Sequence, residues 1–250
     1  MKIQICSDLH LEFPDNRNWL KAHPLVPKGD VLLIAGDTYY LNRSYHKLDF
    51  IKRVADEFEA VYLIPGNHEY YEGYDSARAL EPFRIKIMDN VFMVNNERIQ
   101  IGEVQFIFST LWSNIQKHQA IVKKGMVDFY RIKFKEADLS IEQYNSLHKK
   151  AFDFVSKAVD TAGKKVVVSH HLPSSQCNVE EFKDSPLNEA FCVEKTAFIQ
   201  NSDVDYWIYG HSHRNKTDFQ IGKTQLITNQ LGYVAWNENG HFDTSKVIEL

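Results

Sequence analysis

Two mixed β-sheets flanked by helices, an α/β (α+β) class of fold, are what this sequence predicts. Three patterns carry the prediction: five short apolar runs, two stretches with helical spacing, and two tracts of strand-like alternation. The apolar runs Ile3–Ser7, Val31–Ala35, Val61–Ile64, Val166–Ser169 and Tyr206–Tyr209 are short and β-rich, and read as buried strands. Between the second and third, Leu48, Ile51, Val54, Ala55 and Phe58 recur at helical steps, predicting a helix over Ser44–Phe58 with Ser44 as N-cap. Strand, helix and strand in succession suggest a right-handed crossover. Val91–Trp112 alternates around Asn95-Asn96 and Gly102-Glu103, as an antiparallel meander would. Residues 114–138 are polar and carry Lys117, Lys123, Lys124, Arg131, Lys133 and Lys135; we expect an insertion or lid there. Ser140–Val159 holds the strongest helical pattern, opened by a Ser140/Gln143 capping box. Strand texture returns at Thr217–Ile221, Thr224–Thr228 and Lys246–Leu250, with turns at Gly222-Lys223 and Asn239-Gly240.

The 250 residues, 44% hydrophobic and 25% charged, suit one domain spanning 1–250 with a full buried core. A run of ~18 apolar residues is absent, and the first residues lack a signal-peptide pattern, so a cytoplasmic protein without a membrane association is expected. Cys6, Cys177 and Cys192 are scattered and odd in number, as reduced thiols in a reducing compartment would be. The net charge of −4 argues against a protein whose main affinity is for a nucleic-acid backbone, though a local phosphate site stays open. Nothing implies a protein partner.

Chemistry gathers at the ends of the apolar runs. They lead into Asp8-Leu9-His10, Gly36-Asp37, Gly66-Asn67-His68-Glu69, His170-His171 and Gly210-His211-Ser212-His213. Each alone has a plain reading as turn chemistry or surface decoration. Together they place six of the eleven histidines after strands, and in α/β folds the carboxyl ends of strands converge on ligands. Carboxylate, amide and imidazole without thiolate suit Mn²⁺, Fe²⁺/³⁺ or Zn²⁺ better than a structural zinc or calcium site. His23, His46, His118, His148 and His241 read as ordinary surface or helix-face residues.

These five blocks, in this order from residue 7 to residue 213, resemble the calcineurin-like metallophosphoesterase family. The resemblance implies a four-layer αββα sandwich with a binuclear metal centre. It implies Asp8, His10 and His213 on one metal, Asn67, His170 and His211 on the other, Asp37 bridging, and His68 as the catalytic histidine outside the coordination sphere. His170 is preferred over His171 because it follows its strand directly; His171, Ser169 or Thr38 could orient the ligands. The expected reaction is hydrolysis of a phosphodiester, with monoesters also open, by a metal-bridging hydroxide while His68 assists the leaving group. A small phosphoester is the expected partner.

Departures narrow the substrate. Thr38-Tyr39-Tyr40 follows Gly36-Asp37 where protein phosphatases of the family carry Asp-Arg-Gly, and His68 stands where the lipid A branch usually has arginine. Asn229-Gln230-Leu231-Gly232-Tyr233 resembles a segment that often reads Asn-Pro-x-Gly-Tyr with arginine third, so Arg131 or Arg214 would have to replace that arginine, or the protein does without it. Arg131, Tyr70 and Trp112 are candidate substrate contacts. A nuclease acting on polynucleotide and a non-catalytic scaffold retaining the fold are the alternative readings.

Overall fold

The computed structural model describes residues 1–250. Fourteen strands and seven helices follow one another as β1 (Lys2–Cys6), α1 (Pro14–Ala22), β2 (Val31–Ile34), α2 (Asp49–Glu57), β3 (Ala60–Leu63), β4 (Phe83–Met88), β5 (Val91–Asn95), β6 (Glu97–Ile101), β7 (Val104–Ser109), α3 (Gln119–Gly125), α4 (Asp128–Arg131), β8 (Lys133–Phe134), β9 (Ala137–Asp138), α5 (Ile141–Val159), β10 (Lys164–Ser169), α6 (Asn188–Phe191), α7 (Thr196–Asn201), β11 (Tyr206–Tyr209), β12 (Phe219–Ile221), β13 (Thr224–Thr228) and β14 (Val247–Glu249). Two six-stranded sheets form, ordered β14-β1-β2-β3-β5-β4 and β12-β13-β11-β10-β7-β6. Each has four parallel strands in the middle and one antiparallel strand at either edge.

Alternation along the strands explains the layers. Ile3 and Ile5 of β1, Val31 and Leu33 of β2, and Val166 and Val168 of β10 point between the sheets into one core. Leu32 and Ile34 point outward to Leu20 of α1 and to Ile51 and Val54 of α2. Val167 and Trp207 point the other way, to Val155 of α5 and Ile199 of α7. Helices, sheet, sheet and helices therefore stack as the four layers expected.

Two local expectations are corrected. The helix expected from Ser44 begins at Asp49, because Tyr45–Lys47 form a separate 3₁₀ turn and Leu48 is extended. The stretch 91–112 keeps its antiparallel turn only at Gly102-Glu103, between β6 and β7; at Asn95-Asn96 β5 ends in the first sheet and β6 starts in the second, with only Asn96 between them at φ 51°. The side chains of Asn95 and Asn96 anchor that jump by accepting from the Thr110 amide (2.9 Å) and the Ser109 hydroxyl (2.7 Å). The capping box of α5 is present, with Ser140 accepting from Gln143 N and the Gln143 side chain accepting from Ser140 N. Residues 114–138 form α3, α4 and the β8–β9 hairpin, whose apolar side chains pack with Tyr70, Trp112 and Tyr144 in a fourth cluster beside the strand ends. No helix is long and apolar enough to cross a membrane.

Candidate metal centre

The parallel strands β1, β2, β3, β10 and β11 end side by side, and the residues following them turn sharply. Asp8, His10, Asp37, His211 and His213 all have positive φ, between 46° and 76°. Non-glycine residues adopt that conformation at a cost on the order of 1 kcal/mol each, and such strain concentrates at functional sites. The motif glycines make room: a Cβ on Gly66 would stand 2.1 Å from Asp37 Oδ1, and one on Gly210 2.6 Å from Asp8 Oδ2.

The result is two clusters of donor atoms joined by one carboxylate. In the first, His10 Nε2 lies 2.9 Å from His213 Nε2 and 3.8 Å from Asp37 Oδ2, and His213 Nε2 lies 3.5 Å from Asp8 Oδ1. In the second, His170 Nε2 lies 3.0 Å from His211 Nδ1, 3.1 Å from Asn67 Oδ1 and 3.4 Å from Asp37 Oδ1. Asp37 turns one oxygen to each. All seven residues expected from the sequence are thus brought together and buried or nearly so.

Their outward contacts decide what the clusters can hold. His10 Nδ1 is 3.0 Å from Glu12 Oε1, His213 Nδ1 2.8 Å from Glu238 Oε2, and His170 Nδ1 2.8 Å from the Ala35 carbonyl. Each partner is an acceptor, so each Nδ1 carries a proton and, where the ring is neutral, each Nε2 turns a lone pair inward. With both rings neutral, the His10 and His213 lone pairs face each other at 2.9 Å, an arrangement that repels unless a proton or a metal cation lies between them. Donor separations near 3 Å also suit neighbouring ligands on a cation with bonds of roughly 2.1 Å. The donor set fits two divalent cations.

Burial lowers the His10 and His211 pKa values, favouring the neutral ring a metal needs, whereas at His170 burial is outweighed by Asp37 and Asp8, which raise it to about 9. Burial works against the Glu12 and Glu238 carboxylates, but their histidine partners hold both at about 2. Burial would lower His68 too, yet Asp37, Glu12 and Asp128 raise it to about 9. Its Nδ1 lies 2.8 Å from Glu12 Oε1 and its Nε2 3.2 Å from the Tyr233 hydroxyl, so His68 sits beside the clusters without joining them.

Several supporting residues escaped the sequence reading. Glu12 serves His10 and His68 with one oxygen, and the spacing Asp8-x-His10-x-Glu12 was its only local signal. Glu238 and Asp128 lie far from any motif; Asp128 Oδ1 accepts from Asn67 Nδ2 (2.9 Å) and the Tyr71 hydroxyl (2.5 Å), which turns Asn67 Oδ1 toward His170. Glu69, noted only as part of its motif, accepts backbone amides of Asp37 (3.0 Å), Thr38 (2.7 Å) and Gly66 (2.7 Å) and clamps the two loops together. His171 points away, its nitrogens on the Thr110 carbonyl (3.2 Å) and the Tyr144 hydroxyl (3.1 Å).

A cavity of about 650 Å³ opens on the clusters. Arg131 lines it, over the Tyr71 ring and paired with Glu72. Tyr70 and Trp112 do not reach it: both are buried, 5.5 Å apart, in the packing beneath residues 114–138.

The chain is 26% identical over 277 residues to uncharacterized protein L509 of Acanthamoeba polyphaga mimivirus, covering 99% of this chain and 96% of that one. Its fold is similar to the crystal structure of phosphopantetheinyl hydrolase (PptH) from Mycobacterium tuberculosis, with a TM-score of 0.71 at 16% identity over 99% of this chain and 95% of that one. The family model for calcineurin-like phosphoesterases matches residues 1–215, so the chain belongs to that family of metal-dependent phosphoesterases.

Proposed function

We propose that this chain is a binuclear metal-dependent phosphodiesterase, with phosphomonoesters as slower substrates. Asp8, His10 and His213 hold one cation, Asn67, His170 and His211 hold the other, and Asp37 bridges them. The observation that carries this reading is the pair of inward Nε2 atoms of His10 and His213, 2.9 Å apart, each ring held by a carboxylate behind it. When bound, two divalent or mixed-valence ions (Mn, Fe or Zn) supply Lewis-acid polarisation of the phosphoryl oxygen and a water acidic enough to ionise near neutral pH.

The protein's own residues do the rest. Glu12 holds His68 Nδ1, so Nε2, 3.2 Å from the Tyr233 hydroxyl, is the atom that turns to the leaving oxygen, and the neighbouring carboxylates favour the protonated ring. The cavity leaves room for the second arm of a diester, since beyond the donors it is walled by Val127, Tyr233 and Trp236. Arg131 at the wall, held by Glu72, is the contact for the one reacting phosphate, whereas Tyr70 and Trp112 support the wall by packing. Residues 1–250 act as one domain, with 114–138 as the insertion that covers the site. The free thiols Cys6, Cys177 and Cys192 accord with a cytoplasmic setting.

The test is hydrolysis of bis(p-nitrophenyl) phosphate and p-nitrophenyl phosphate side by side, by Mn²⁺-reconstituted protein, with chelator-treated protein and His68→Ala as controls. Chelator-sensitive, His68-dependent turnover favouring the diester is expected. Preference for the monoester would overturn the diester assignment, and turnover that survives metal removal would overturn the mechanism.

A further inference from the structure

Three of the eight large hydrophobic side chains left exposed, Phe13, Val127 and Trp236, line the cavity that opens on the donor clusters. Exposed apolar surface collected at a concave site marks a ligand-binding face. The apolar walls run down to the donors themselves. Phe191 stacks on His211 with ring centroids 4.6 Å apart, Tyr233 stands 4.5 Å from the rings of both His10 and His213, and Trp236 meets Tyr233 edge-on at 4.9 Å.

Positive charge along these walls is already committed. No lysine lines the cavity. Arg131 pairs with Glu72 at 2.9 Å. Arg214 pairs with Glu238 at 3.0 Å and Glu181 at 3.2 Å, and lies over the Phe182 ring. A second phosphate on the substrate would meet Asp15, Asp128 and Glu238 and find no uncommitted cation.

We infer that the substrate carries a single phosphate and that its organic arm is uncharged, with an apolar face seated against Val127 and Trp236. This rests on the phosphodiester reading and deepens it by naming the class of ester. Polynucleotides and nucleoside polyphosphates are poor substrates on this account, and a neutral aromatic or aliphatic arm of up to nucleoside size is a good one.

The test uses Mn²⁺-loaded protein and p-nitrophenyl phosphodiesters whose second ester is methyl, ethyl or phenyl, each rate divided by its uncatalysed rate. The p-nitrophenyl ester of thymidine 5′-phosphate, with and without a 3′-phosphate, completes the set. From methyl to phenyl, kcat/KM rises roughly tenfold or more, the effect of burying a small apolar group. The 3′-phosphate lowers it severalfold. Val127→Ser and Trp236→Ala, at positions too exposed to matter to the core, each reduce the phenyl-to-methyl ratio roughly threefold or more. A flat series on protein that does hydrolyse the methyl ester, or a gain on adding the 3′-phosphate, overturns the inference and leaves the phosphodiester reading standing. Turnover of none of these esters by the metal-loaded protein overturns that reading and the inference with it.

Discussion

The two halves of the donor cluster are supported differently. Behind the first stand two carboxylates, Glu12 on His10 and Glu238 on His213. Behind the second stand a neutral carbonyl, Ala35 on His170, and one carboxylate that reaches only the amide of Asn67. His211 Nε2 is buried without a partner. A carboxylate behind an imidazole makes it a stronger, better oriented ligand, whereas a carbonyl mainly orients it. The first half should therefore bind its ion more tightly, and the second should fill last.

Removing the shared group breaks the comparison outright. Asp37→Ala takes an oxygen from both halves, so bound metal should fall well below two ions per chain and turnover by roughly a thousandfold, read by elemental analysis and the diester assay. His68→Ala separates chemistry from binding: kcat should fall roughly 10²–10³-fold with metal content unchanged. The pH profile sharpens this point. The His68 proton is present below its pKa and lost above it, so wild-type kcat should decline as pH rises through that pKa, which Glu12 and Asp128 raise, and His68→Ala should lack that limb. Glu238→Gln touches the first half only and should weaken its ion roughly 10- to 100-fold in a Mn²⁺ titration. Asp128→Asn is the mildest change. An asparagine oxygen can still accept from Asn67 and Tyr71, so the second ion should weaken only several-fold, while Asp128→Ala should approach the Glu238→Gln effect at the other half.

What could be read from the sequence, and what could not, divides along a physical line. Buried parallel strands are short apolar runs, and the residues just after them inherit their convergence, so the gathering of the five blocks was legible, while the choice of seven donors and His68 within them came from the family resemblance. The Ser140 cap was legible because its partner is three residues away. Glu238 and Asp128 were not, since nothing local distinguishes a carboxylate that the fold brings back over a distant histidine or amide. Glu12 lay closer to view, two residues past His10 on the same turn. The change of sheet at Asn96 hid inside an alternation that is the same whether one sheet or two receives the strands. Tyr70 and Trp112 looked like pocket walls because they flank motifs; the packing of α3 and α4 over them placed them in the core. The left-handed backbone at Asp8, His10, Asp37, His211 and His213 falls on residue types enriched in that region, but nothing in the sequence marks which Asp or His adopts it.

The central claim is that these seven residues form one centre for two cations, and the most direct test counts them. Protein loaded in turn with Mn²⁺, Fe²⁺ and Zn²⁺ and freed of excess metal is analysed by inductively coupled plasma mass spectrometry, alongside Asp37→Ala. Two ions per wild-type chain with at least one of these metals, and fewer in Asp37→Ala, is the predicted result. One ion or none per wild-type chain with all three metals would contradict it.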